Sequence, residues 1–277
     1  MIIARTQHHL VQELESLRFC GHTKQRIGLV VTKGNCHDGV GAVINAARTL
    51  SDVVVVVLLP PTTHDSQTSN VVSAGEFHDI GFIEQHKTTL LYAPQEEQLY
   101  PSEFKNSTQI LLPLVSDPDS DHSYYLTTRL KLINLVQPDI LVCGEKHWEQ
   151  VHHTKRMLED MNSRTTLQSI PIVRHANGAV VDDAYENLTE SEQEQTPVIY
   201  ETLKNAAHAI REGAKNYDKV SNTARLALRE SQFEVNRFDI VEEDTLDVPT
   251  LDTQRFRIIC EVSLGSTILH DNLGLNA

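Results

Sequence analysis

Apolar positions along the first half of the chain fall into short runs of two kinds, separated by polar and glycine-containing turns. Arg26–Thr32 (RIGLVVT) and Asp52–Leu59 (DVVVVVLL) are continuous and rich in β-branched residues, the pattern of strands buried on both faces. Between them Val40–Leu50 (VGAVINAARTL) spaces its apolar residues as a helix does, so the segment reads as a β-α-β unit with parallel strands. Further strands are expected at Thr88–Tyr92, Gln109–Leu112, Asp139–Cys143 and Leu167–Val173, and helices at Tyr124–Val136 and His147–Met161. This alternation predicts an α/β fold with an open parallel Rossmann-like sheet over residues 1–174. From about residue 175 the texture changes. Asn187–Glu194 is polar and acidic, with Thr189 or Ser191 placed to cap a helix. Helical spacing follows at Pro197–Glu212 and Asn222–Glu230, then strand-like runs at Phe238–Glu242 and Arg255–Leu264. A smaller C-terminal α+β domain is expected over residues 175–277. Pro61–Ala74 reads as a turn-rich loop.

Composition narrows the function. With 277 residues, 40% of them hydrophobic and 22% charged, the chain has the balance of an ordinary soluble protein. Its longest apolar run, Val53–Pro61, is strand-sized, and Met1–Arg5 shows no secretory pattern, so a cytoplasmic location is expected. Cys20, Cys36, Cys143 and Cys260 form no CxxC pair, which speaks against a disulfide framework or a cysteine zinc site. The net charge of -14 disfavours nucleic acid and anionic membrane as partners. That charge also means that a polyphosphate site would need local positive groups.

The candidate chemistry gathers after the first strand. Thr32–Gly39 (TKGNCHDG) stands where a strand's carboxyl end meets a helix N-terminus, and unpaired N–H groups there favour an anion. Gly34 and Gly39 allow close backbone approach and His37 can donate a hydrogen bond. The same residues also suit a plain tight turn with a surface histidine.

This segment resembles the TMGxLHxGH motif of the pantothenate synthetase (pantoate–β-alanine ligase) family, and the likeness continues in register. Leu135–Ile140 and Gly144–Gln150 (GEKHWEQ) resemble VQPD…GEKDxQQ, and Ala93–Pro101 resembles APSxxExYP. Ile170–Arg174 and Leu188–Glu192 resemble the stretches flanking the family's second-domain signature, and Leu269–Asn272 resembles its closing RLIDN. The resemblance implies a dimeric, two-domain nucleotidyltransferase of the HIGH-motif type. Such an enzyme uses Mg2+ and ATP to convert pantoate to pantoyl adenylate and passes the acyl group to β-alanine. It further implies His37 and Lys146 as catalytic, phosphate-binding groups. Gly34, Gly39, Gly144, Asp182 and Asp183 stand at the other nucleotide-binding positions, and Lys33, Thr63 and Gln150 at those that hold the acid. No resident metal is expected. His37, His147, Asp182 and Asp183 are the one set of side chains able to ligate one, and solvated polar groups are the plainer account of them.

Several motif positions depart from the family. Val40 replaces the second motif histidine, Lys33 a methionine, Val31 a proline, and His147 the aspartate that holds the ribose. Thr63 takes the place of a glutamine, and Asp117–Tyr125 has no counterpart of the family's SRPGHF loop. Asp182-Asp183-Ala184 replaces Ser-Ser-Arg, which removes one positive charge and adds two negative ones. At an effective dielectric near 20 a like-charge contact at about 4 Å costs on the order of 4 kcal/mol. Two expectations follow: an ATP-dependent pantoate–β-alanine ligase with impaired or altered chemistry, or a catalytically degenerate paralogue that binds a small molecule or a protein.

Overall fold

The computed structural model of the chain describes residues 1–60, 72–112 and 121–276, which cluster into two compact units. The first holds the described residues of Met1–Gly144 together with Gln150–Ile170; the second holds Glu145–Glu149 and the chain from Pro171 onward. Residues 145–149, in the first domain by linear order, thus group with the C-terminal unit.

The first unit runs β1 (Ile2–Ala4), α1 (Gln7–Leu17), the short β2 (Phe19–Cys20) and β3 (Thr23–Lys24), then β4 (Ile27–Thr32), α2 (Asp38–Leu50), β5 (Val53–Leu58) and α3 (Val72–Gln85). It continues through β6 (Leu90–Tyr92), α4 (Glu96–Leu99), α5 (Asp121–Val136), β7 (Ile140–Gly144), α6 (Trp148–Asp160) and β8 (Thr166–Ile170). Trp148 and Glu149 of α6 cluster with the second unit. Six strands form one sheet in the order β1-β6-β5-β4-β7-β8, with every neighbouring pair parallel. The order turns back between β4 and β7, the crevice at which sheets of this kind take their ligands. The valine run of β5 is buried along its whole length, because helices must cover both faces of a parallel sheet. Val30, Val54, Val56 and Val142 pack against Val43, Ile44 and Ala47 of α2 on one face.

The strand expected at Gln109–Leu112 does not form. The Ile110 N–H donates instead to Thr127 Oγ1 of α5 at 2.8 Å, and Leu111 is exposed. So short a run ahead of Pro113 leaves too few ladder donors to hold a strand.

The second unit contains α7 (Asp183–Glu186), α8 (Glu190–Gln195), α9 (Pro197–Arg211) and α10 (Tyr217–Glu230) over an antiparallel sheet ordered β11-β10-β9. Its strands are β9 (Glu234–Glu242), β10 (Arg255–Leu264) and β11 (Thr267–Asn276). Thr189 caps α8 in a full capping box with Glu192. Leu203, Ala207, Leu228, Phe238, Phe256 and Val262 form the middle of its core. Among the described residues no helix is long and apolar enough to cross a membrane.

Candidate functional site

The turn from β4 into α2 is built around a residue far away in sequence. Asp79 of α3 is 5% exposed, and its carboxylate accepts from Asn35 N at 3.1 Å and Cys36 N at 2.7 Å. Gly34 has φ +94°, and a Cβ there would stand 2.8 Å from Asp79 Oδ2, so conformation and space both require glycine. Thr32 Oγ1 accepts from Gly34 N at 3.4 Å. The loop is therefore fixed by a buried charge before α2 begins.

His37 then caps α2. Its Nδ1 accepts from Gly39 N at 3.1 Å, which puts the ring proton on Nε2 and makes that atom a donor at the helix N-terminus. Gly34, His37 and Gly39 thus share one turn. Val40 packs its half-buried side chain on the α2 core. Cys36 is buried, and burial with the Asp79 carboxylate beside it pushes its thiol well above the usual range, so it is a neutral packing group and no nucleophile. Lys33 is exposed and Gln150 half-buried on α6, where its carbonyl accepts from Thr154 Oγ1 at 2.6 Å. Gly144 closes β7, and a Cβ there would meet Val43 of α2 at 3.6 Å. Thr63 lies outside the described residues.

Lys146 has a different setting. It lies in a 3-10 turn, Glu145–His147, and its ammonium forms an ion pair with Asp182. The Asp182 side chain is 3% exposed, and it also caps α7 by accepting from Ala184 N and, at 3.2 Å, from Tyr185 N. The charge reversal therefore takes a specific form. Asp182 is neither solvated nor an isolated repulsive charge; it already occupies the lysine. Asp183 follows as the first residue of α7.

The backbone of this turn is held by β11. Asn272 Nδ2 donates to Glu145 O and Lys146 O, both at 2.8 Å, and Asn272 Oδ1 accepts from Arg257 Nη1 at 2.9 Å. Arg257 lies 3.5 Å over the Trp148 ring and also donates to Glu243. Next to Asn272, Asp271 accepts two hydrogen bonds from Arg174, at 2.8 and 2.7 Å. Burial raises the Asp271 carboxyl even though Arg174 opposes the shift. Asp79 and Asn272 are the residues that sequence reasoning leaves without a role. Asn272 stands in a motif-like stretch, which was a usable signal; Asp79 had none. Among the described residues no group of three or more His, Cys, Asp or Glu side chains is arranged to hold a metal ion.

Comparison with known proteins gives one consistent result. The family model described as pantoate–β-alanine ligase matches residues 2–274. The chain is 29% identical to a pantothenate synthetase of Marinobacter nauticus over 279 residues, covering 98% of this chain and 99% of the relative. It is 27% identical to the pantothenate synthetase of Hahella chejuensis, covering 91% and 92%. Among solved structures, pantothenate synthetase from Thermus thermophilus superposes with a TM-score of 0.81 at 21% identity, over 99% of each chain. Pantoate–β-alanine ligase from Francisella tularensis, complexed with "Beta-gamma ATP" and β-alanine, superposes at 0.75 with 25% identity, over 99% of this chain and 97% of that one.

Proposed function

We propose, from the premise that the chain belongs to the pantoate–β-alanine ligase family, that it condenses pantoate with β-alanine through an acyl adenylate, at a site that must first release its own lysine. The observation that carries this reading is the preformed turn at Gly34–Gly39, with its His37 donor at a helix N-terminus. The dipole of α2 and the His37 ring suit a phosphate, and a loop already fixed by Asp79 adds little ordering cost on binding.

In the first half-reaction a pantoate carboxylate oxygen bonds to the α-phosphorus of ATP, and the bond to the bridging oxygen breaks as pyrophosphate leaves. In the second, the β-alanine amine attacks the acyl carbon, the bond to AMP breaks, and the ammonium loses a proton. Neither step needs a covalent enzyme intermediate, so the chain's contribution is position and charge. By the family pattern His37 and Lys146 stabilise the phosphates, with Gly34, Gly39 and Gly144 giving close backbone approach. Gln150, Lys33 and Thr63 hold the acid. In this reading magnesium bound with the nucleotide would offset phosphate charge beside His37 and Lys146, and the chain works as a cytoplasmic homodimer. Asp182 competes with the nucleotide for Lys146 and lowers the rate without abolishing it.

The test is pantoate-dependent exchange of pyrophosphate into ATP with magnesium. Exchange above the rate without pantoate is expected. Its absence, together with no heat of ATP binding at millimolar nucleotide, rules the ligase out. The Lys146–Asp182 pair also favours a second reading, in which the fold is kept as a small-molecule-binding or protein-interaction module. Measurable ATP affinity in the unaltered chain separates the two.

A further inference from the structure

The contacts of Asn272 fall on the two peptide groups that flank Lys146. Asn272 is 3% exposed, and its Nδ2 donates to Glu145 O and to Lys146 O. Its Oδ1 accepts from Arg257 Nη1, and a guanidinium can only donate, so the amide cannot be turned over. The Asn272 backbone N–H is taken by Asp271 Oδ1 at 2.7 Å, and Asp271 is itself held by Arg174. Each of the two carbonyls lies in a planar unit, one on either side of the Lys146 Cα. Holding both planes fixes φ and ψ of that residue, and with them the direction of its Cα–Cβ bond. A tie that served stability alone could fall on any carbonyls of the turn; this one falls on the pair that aims the lysine.

Arg257 is built in to serve the same contact. It is 5% exposed, stacks on Trp148 directly after the turn, pairs with Glu243 and lies 3.5 Å from the Glu145 carboxylate. Gly274 leaves room for it. A Cβ there would stand 3.0 Å from Arg257 Cζ and 3.1 Å from Glu243 Oε1. The backbone of the turn is thus fixed by side chains of β10 and β11, while the Lys146 ammonium pairs with Asp182. Such a lysine can exchange the aspartate for a phosphate by side-chain rotation alone, with no backbone to reorder.

We propose that Asn272 is a positioning residue for Lys146, kept in register by Arg257 and by the space at Gly274. This rests on the ligase reading for what Lys146 does with ATP, though not for how the lysine is held.

One arm of the test needs no catalysis. Acetylation of the full chain by an N-hydroxysuccinimide ester, resolved by peptide mass spectrometry, compares Lys146 with Lys204 of α9, which is paired with Glu201. Asn272→Ala is expected to speed acetylation of Lys146 about fivefold and to leave Lys204 unchanged. Gly274→Ala displaces Arg257 but keeps Asn272, and is expected to give a smaller rise at Lys146 alone. An unchanged rate at Lys146, or an equal rise at both lysines, overturns the proposal. The second arm is pyrophosphate exchange in an Asp182→Asn background, where the carboxylate no longer competes for the lysine. There Asn272→Ala is expected to raise the KM for ATP about fivefold and to leave the KM for pantoate unchanged. An unchanged KM for ATP, or an equal rise in both, overturns the proposal, since a merely structural loss lowers the active fraction without this split. If Asn272→Ala does not fold, Gly274→Ala carries both arms. Absence of exchange in the unaltered chain removes the ligase reading instead, and the acetylation rates then decide the positioning.

Discussion

At the scale of single residues, two carboxylates govern the proposed chemistry in opposite ways. Asp182 holds Lys146 and caps α7, so its replacements separate the two roles. Asp182→Asn keeps a capping oxygen and removes the charge. It is expected to tighten ATP binding about tenfold while lowering stability by about 1–2 kcal/mol, since Lys146 can turn towards water. Unchanged ATP affinity by calorimetry would show that the pair does not limit binding. Asp79→Asn acts in the other direction, because the amide sets a donor against one of two backbone N–H groups. A loss of about 2–4 kcal/mol in urea denaturation and at least about a tenfold drop in kcat/KM are expected. A variant with full activity would show that the loop holds its shape without the clamp. The positions of His37, Lys146 and Asp182 could be singled out in the sequence because they stand in motif register, but the Lys146–Asp182 pair could not. Nor could Asp79, since a contact spanning more than forty positions leaves no local pattern.

At the scale of elements, β11 couples the Lys146 turn to the C-terminal sheet. His270 faces Glu261 across the β10–β11 pair; Lys146, Asp182 and Glu149 act on it electrostatically, and the His147 ring lies 5.0 Å away. Burial, the largest influence, lowers its pKa from 6.5, while Glu261 opposes this. The unfolded chain then binds the extra proton first, so the stability this histidine contributes is present above about pH 6.5 and is lost as pH falls through the folded value. His270→Gln is therefore expected to show a shallower fall in Tm between pH 7 and pH 5 than the unaltered chain; parallel profiles would refute this. Elements with strong periodicity, such as β5 and α2, could be read from the sequence alone. The helix α3 could not, because Gly75 and Gly81 interrupt a segment with no clear apolar face, and β11 was masked by turn-like residues such as Asp271, Asn272 and Gly274.

At the scale of the whole molecule, a net charge of -14 sets the field that an anionic substrate meets. Raising salt from about 20 to about 200 mM shortens the screening length to under about 10 Å and is expected to speed nucleotide association a few-fold, where a basic protein would slow. Slower association in stopped flow would mean that a local positive field outweighs the rest. The parallel sheet followed from the alternation of runs, which reports burial; the strand order and its reversal point did not. The pairing of charges inside the molecule did not, because it depends on which side chains the fold happens to bring together. The Asp79 clamp has one more consequence. It makes the Asn35 and Cys36 amides dependent on a helix that belongs to another part of the chain. These two protons should exchange with deuterium in step with the Asp79 turn of α3, and not with the neighbouring loop, so that the turn and the helix open as one cooperative unit.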